Sequence, residues 1–491
     1  MANSRPSSPI SPTSHLTSHL PSHLPSHLPS HLTRRHALVA GLTAGLAIGA
    51  AALPGQAKAS PFDPSAGTGR DGLGFGQGRT GAAPGELGGG PDGFGVTGEP
   101  DFHPVRFRLP EPTGRKALGT TALHLIDRSR PDPSMPSGQR ELMISLWYPA
   151  SLSGTAPFAK YMPARTATEV DAAWTGEDGL ALPSGSFDFG NTVTHSRVGV
   201  PMQRLQHPVV LFSPGYQYSR FVNTAQVEDL ASRGYVVVTM DHPHETPVEY
   251  PRGRFLPGAP LAEPPGPDGM RKAVETRTAD ARFVLDQLER LARGENVDAE
   301  GKDLPDGLAG GLDLRKVGMF GFALGGYATA NAMLEDRRIL AGADLDGTLQ
   351  DDRADGPLGE VAERGLGRPF LLFGSDETQR TDPAKEYYDK SWAAFWQAQR
   401  GAKLNLALAH TKQKAFTDYQ FVFSQLFHDI YGDDPIVTSV VTALVGSAKP
   451  ARSVLAQREY LAAFFDLTLR RRPSVLLRGE SAKFPEVRFA R

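Results

Sequence analysis

The segment from Asp313 to Asp346 constrains the chain most. Val317-Gly318-Met319-Phe320 is a short apolar run that predicts a buried strand, and Gly321-Phe322-Ala323-Leu324-Gly325-Gly326 predicts a tight turn. Tyr327 to Met333 is rich in alanine and predicts a helix, and Ile339 to Asp346 is a second apolar run ending in an acid. A strand that passes directly into a helix forces the residue at the apex into a strained backbone conformation. Strand and helix then crowd each other around that residue, so the positions two before and two after it must be small. The apex residue here is Ala323, whose side chain carries no heteroatom. In a chain with 53 glycines, Gly-x-Ala-x-Gly alone would describe an ordinary strand-to-helix turn equally well. The order of elements on either side decides.

Residues 1–59 read as a leader. Met1 to Thr33 is of low complexity, with a Ser-His-Leu-Pro/Thr repeat from Ser14 onward. Its histidines would suit a metal-binding tract, but the segment precedes an export signal and is expected to be discarded. Arg34-Arg35 comes before the weakly apolar Ala37 to Leu53, and Ala57-Lys58-Ala59 is a small-x-small cleavage site. Together these predict twin-arginine export, an uncleaved anchor being the alternative. The apolar run, about 17 residues of mostly Ala, Gly and Leu, is too short and mild for a membrane span. Residues 60–100 are Gly- and Pro-rich without apolar periodicity and predict a disordered linker.

Residues 101–491 read as one domain. The chain of 491 residues is 40% hydrophobic with a formal net charge of −2, which allows a large core and gives no sign of a nucleic-acid partner. The absence of cysteine excludes disulfides, thiolate metal sites and a Cys nucleophile. Strands are expected at Leu142–Tyr148, Pro208–Phe212, Tyr235–Met240, Pro369–Phe373 and Leu404–Ala409. Helices are expected at Val222–Arg233, Arg271–Arg293, Ala384–Arg400 and Ser453–Leu469, and a Pro-rich excursion fills Pro243–Met270. On the Arg271–Arg293 helix, Val274, Ala281, Val284, Leu285, Leu288 and Leu291 share one face. Apolar strands alternating with helices predict an α/β fold, a mostly parallel central sheet with helices on both faces.

With that order established, a resemblance becomes specific. The phrases Pro112-Thr113-Gly114, Leu146-Trp147-Tyr148-Pro149-Ala150, Leu211-Phe212-Ser213-Pro214-Gly215 and Asp229-Leu230-Ala231-Ser232-Arg233-Gly234-Tyr235 are followed by Val317-Gly318-Met319-Phe320-Gly321, Asp344-Leu345-Asp346-Gly347-Thr348 and Phe416-Thr417-Asp418. From about Leu109 to Arg488 the sequence resembles the platelet-activating-factor acetylhydrolase-like branch of the α/β-hydrolases, especially its exported bacterial members. The strand, turn and helix around Ala323 then correspond to the nucleophile elbow of that fold.

The resemblance implies a serine esterase with a Ser in a G-H-S-x-G-G elbow, an acid ending the next strand, and a His in an H-x-x-F-x-D segment. The acid falls on Asp346. The nucleophile position falls on Ala323, the elbow histidine on Phe322, and the catalytic histidine, three residues before Phe416, on Gln413. Ester cleavage by such a triad needs a hydroxyl to attack and an imidazole to carry the proton. Alanine offers no heteroatom and a glutamine amide has no basicity at neutral pH. Three departures in one small site point to natural loss of catalysis, because the members of a triad act as a unit.

His410 is a candidate stand-in base, and Asp376 occupies the other usual place for the triad acid. The ordinary reading of His410 is a strand-terminal histidine at a surface or pocket rim, and that of Asp376 a loop acid. Asp241-His242-Pro243-His244-Glu245 offers possible metal ligands, although Asp-His after this strand also fits the family; the expectation is no metal and no cofactor. The resemblance places the oxyanion hole on the backbone N–H groups of Leu324 and Tyr216, which side-chain changes need not remove. The sequence thus describes an exported α/β-hydrolase-fold protein without the usual catalysis. It would act as a scaffold or as a binding protein for a small acyl or lipid ester, with no integral membrane segment once the signal is removed. The alternative is an active esterase using groups such as His410.

Overall fold

The computed structural model describes residues 103–490, except 152–154, 177–178, 181, 260–264, 352–355, 377–388 and 433. The expected leader (1–59) and linker (60–100) lie outside the described residues. In chain order the elements are β1 (Leu118–Pro131), β2 (Gln139–Pro149), β3 (Phe158–Lys160), α1 (Ala164–Thr175), β4 (Val193–Val198), β5 (His207–Ser213), α2 (Thr224–Ser232), β6 (Val236–Met240), β7 (Val248–Glu249) and β8 (Phe255–Leu256). There follow α3 (Pro267–Ala292), β9 (Leu312–Phe322), α4 (Leu324–Glu335), β10 (Ile339–Leu345), α5 (Glu360–Arg364), β11 (Phe370–Ser375) and α6 (Lys390–Ala398). The chain closes with β12 (Lys403–Leu408), α7 (Tyr419–Tyr431), α8 (Pro435–Val445), α9 (Pro450–Arg470) and β13 (Val487–Phe489).

Eleven strands form one sheet in the order β13-β12-β11-β10-β9-β5-β6-β2-β1-β4-β3. From β12 through to β6 every neighbour is parallel. Antiparallel pairs lie toward the margins: β13 on β12, β2 between β6 and β1, and β3 on β4. The central strands are apolar on both sides because both faces are covered. Within β5, Val209 and Leu211 join one core while Val210 and Phe212 join the other. Helices α3 and α4 cover the first core, and α2 and α9 cover the second. The expected stripe of α3 is buried as a unit, Val274 through Leu291, since a 3.6-residue period keeps it on one face.

Several boundaries differ from the sequence reading. Helix α4 starts at Leu324, not Tyr327, so Gly325 and Gly326 belong to the helix. They are glycine because α4 approaches the sheet closely: a Cβ on Gly325 would stand 1.9 Å from the Ser213 carbonyl oxygen, and one on Gly326 1.8 Å from the Asp344 carboxylate. Helix α3 starts at Pro267, inside the stretch assigned to the Pro-rich excursion, because proline is well suited to a first helical turn. Helix α2 is shorter than expected at both ends. Helix α6 spans Lys390–Ala398, and residues 384–388 of the expected helix lie outside the described residues. Strands β1, β3, β4 and β13 and helices α1, α7 and α8 had not been anticipated. Among the described residues no helix is long and apolar enough to cross a membrane.

Candidate functional site

The end of β9 and the start of α4 build the site. Ala323 has φ 49° and ψ −118°, a left-handed conformation that costs a non-glycine residue about 1–3 kcal/mol. The neighbours hold it there. Its N–H donates to the Leu345 carbonyl at 2.9 Å, and its carbonyl accepts from Gly326 N–H at 2.9 Å. A Cβ on Gly321 would stand 2.0 Å from the Gly325 backbone, so the strand and helix leave no room there. This is the strained strand-to-helix turn expected from the sequence, with an alanine at its apex. Among the described residues, neither Leu324 N–H nor Tyr216 N–H has an acceptor. Both residues flank the elbow, Leu324 as the first residue of α4 and Tyr216 in the loop after β5.

Asp346 follows β10, is fully buried, and has φ 56°. Burying an unpaired carboxylate is costly, and this one is held. Its oxygens accept from Ser375 N–H at 2.9 Å and from Ser375 Oγ at 3.1 Å. Gln413 reaches the same residue but at the backbone: its Nε2 donates to the Asp346 carbonyl at 2.9 Å. The structure therefore brings Gln413 against Asp346, and adds Ser375, which sequence reasoning had missed. Phe322 is buried, edge-on to Tyr218 with ring centroids 5.5 Å apart. Tyr218 packs on Tyr419, and Tyr419 on Trp174 of α1, which makes an aromatic wall on that side.

The two stand-in candidates are placed differently. His410 is exposed with φ 61°, and its backbone N–H, not its ring, donates to Asp376 Oδ2 at 2.8 Å. Asp376 Oδ1 also accepts from Thr411 N–H, at 3.3 Å. Asp376 thus fastens the turn after β12, and among the described residues the His410 ring has no hydrogen-bonding partner.

The Asp241–Glu245 cluster separates onto different partners. Asp241 pairs with Arg220, and His244 lies 3.3 Å from Asp132. Glu245 pairs with Arg277, while His242 Nδ1 donates to Asp280 Oδ2 at 2.9 Å. His242 Nε2 lies 2.9 Å from Ser213 Oγ. Burial, with Arg277 nearby, lowers the His242 pKa although Asp280 opposes it, so the ring stays neutral. Burial acts to raise the Asp280 pKa, but Arg140 and His242 outweigh it and the group is held well below the carboxylate range. Arg277 and Asp280 both come from α3. A signal for them existed in the sequence: a base and an acid inside an otherwise apolar helical stripe.

No protein-family model matches the chain. A solved structure, a ferulic acid esterase from Streptomyces cinnamoneus, is 32% identical to it. That similarity covers 79% of this chain and 100% of the other, with a TM-score of 0.62. The chain belongs to the platelet-activating-factor acetylhydrolase-like family of α/β-hydrolases. Its sheet, with the acid-bearing turn after β10, is the α/β-hydrolase fold. Within this family, an Arthroderma benhamiae protein named probable 1-alkyl-2-acetylglycerophosphocholine esterase is 28% identical over 404 residues, covering 79% of this chain and 94% of its own length. The platelet-activating factor acetylhydrolase of Cavia porcellus is 23% identical over 236 residues, 45% of this chain and 50% of its own.

Proposed function

We propose that this member of the family no longer hydrolyses esters and binds an acyl or ester group at the elbow, as an exported binding or scaffold protein. The observation that carries the reading is Ala323 in the strained elbow conformation. The backbone cost of a nucleophile is still incurred while the hydroxyl is gone. Gln413, at the general-base position, is occupied with the Asp346 carbonyl and has no basicity to offer. Leu324 and Tyr216 N–H remain as donors for a carbonyl or carboxylate oxygen. Relatives named for esters of an acetylated glycerophosphocholine and of ferulic acid support an ester or acyl ligand. The aromatic wall of Tyr218, Tyr419 and Trp174 supports an apolar portion on it. The export part rests on Arg34-Arg35 and the segment after them.

The test is hydrolysis of 4-nitrophenyl acetate and 4-nitrophenyl butyrate, run beside the ferulic acid esterase. The expected rate is no more than a triad-less site provides, roughly 10³–10⁴-fold over water. Turnover at ordinary esterase rates, abolished by His410→Ala, would refute the reading and establish His410 as the base.

A further inference from the structure

We infer that Arg277 is a positioning residue for this site: it turns the Gly215–Tyr216 peptide so that Tyr216 N–H faces the elbow. The buried Ser213–His242–Asp280 chain fixes Arg277's own hydrogen bonds. The inference rests on the reading of Tyr216 and Leu324 as oxygen donors.

A trans peptide directs its C=O and N–H to opposite sides. The Gly215 carbonyl accepts from Arg277 Nη2 at 3.1 Å and from Tyr218 N–H at 3.1 Å. Tyr216 N–H therefore points away from Arg277 and α3. Within the loop the Tyr218 N–H bond favours this facing, but residue 215 is a glycine, whose permissive backbone could still turn the other way. It is glycine for space: a Cβ there would stand 3.0 Å from the Phe322 ring and 3.1 Å from Tyr218. The Arg277 guanidinium adds a second restraint on the same carbonyl from outside the loop. Its planar fork spans three consecutive residues of the loop. Nη1 donates to the Pro214 carbonyl and to Ser213 Oγ, the latter at 3.2 Å, and Nη2 donates to the Gly215 carbonyl. The remaining edge pairs with Glu245.

The donor order behind the fork is also determined. Asp280 is ionised, so His242 Nδ1–H donates to it at 2.9 Å. In a neutral ring Nε2 is then an acceptor, and Ser213 Oγ–H donates to it at 2.9 Å. The Ser213 lone pairs are left facing Arg277 Nη1, which needs an acceptor. All four residues are buried to at least 99%. Buried ion pairs seldom add stability over apolar residues of the same size, whereas an apolar side chain could not hold two carbonyls in a fixed direction.

The experiment replaces Arg277 by Met, which keeps the length and removes every donor, and by Lys, which keeps a charge for Glu245. In the otherwise wild-type protein, selective ¹⁵N-tyrosine and ¹⁵N-leucine labelling reads the Tyr216 and Leu324 amides. In Arg277→Met the Tyr216 amide is expected to shift and exchange faster with solvent while Leu324 stays in place; Lys should give a smaller change. The same substitutions in the Ala323→Ser/Gln413→His protein are assayed with 4-nitrophenyl acetate, normalised to sites titrated with an aryl phosphonate. There Arg277→Met should lower kcat about 10- to 100-fold with little change in KM, below the 10²–10³-fold typical of losing one oxyanion donor outright. A Tyr216 amide unmoved in Arg277→Met, or in Arg277→Lys if the Met variant does not fold, overturns the inference. So does an unchanged kcat. If the Ala323→Ser/Gln413→His protein shows no activity, the reading of Tyr216 and Leu324 as oxygen donors loses its kinetic support alone, and the Tyr216 amide still decides the role of Arg277.

Discussion

If the proposed loss of hydrolysis is right, two side chains should restore it. In Ala323→Ser a single Oγ is added to a Cβ already seated at φ 49°, so the backbone need not change. In Gln413→His an imidazole replaces an amide whose Nε2 lies 2.9 Å from the Asp346 carbonyl, which puts the ring within reach of Asp346. The Asp346 carboxylate is already held by Ser375 at 2.9 and 3.1 Å, ready to orient it. Ala323→Ser alone should add little, since its hydroxyl has no base, and Gln413→His alone should add nothing. Together they should add on the order of 10²-fold, the low end of general-base assistance, which is about 2.7 kcal/mol of barrier. The assay is hydrolysis of 4-nitrophenyl acetate by wild type, both singles and the double, with a pH profile for the double. Its rate should rise with pH through about 6.5, as an imidazole loses its proton. Phe322 packs on Tyr218, so Phe322→His is the third change if the rings crowd the new histidine. The reasoning is refuted if the folded double variant is no faster than wild type, or if Ala323→Ser alone matches it.

Stability should fall on acidification in two stages. His242 is held neutral by burial and by Arg277, so between its lowered pKa and about 6.5 the unfolded chain takes up more protons than the folded one. Stability is then lost as pH drops below about 6.5, by at most about 1.4 kcal/mol per pH unit. Asp280, held low by Arg140 and His242, adds a second loss below about pH 4. Thermal melts of His242→Gln should be flatter than wild type between about pH 4 and 6.5, and equal slopes would contradict this. Export should depend on the arginine pair, with the mature chain starting near Ser60; unchanged secretion of an Arg34→Lys/Arg35→Lys protein would rule that out.

Amino-acid identity alone settled what the site lacks. No fold can supply a hydroxyl to Ala323 or a basic nitrogen to Gln413. Short-range signals also carried the central α/β pattern, because the apolar runs of β5, β6, β9, β10, β11 and β12 and the stripe of α3 depend on neighbours a few residues away. The marginal strands were not legible in that way. β1 mixes Thr, His, Asp and Arg among its apolar residues and is buried by tertiary contacts, with β2 paired along it and β4 at its start. The start of α4 was misplaced because Gly325 and Gly326 read locally as turn residues, while their real constraint is contact with Ser213 and Asp344. The hydrogen bonds of the site were beyond any local reading. Ser375 meets Asp346 across 29 residues and Gln413 meets it across 67, and Arg277 meets Gly215 across 62. Such partners are selected when the sheet sets its strand order and desolvated polar groups must each find a donor or acceptor. The sequence therefore determined which groups are available and which are missing. The tertiary structure decided which of them face one another.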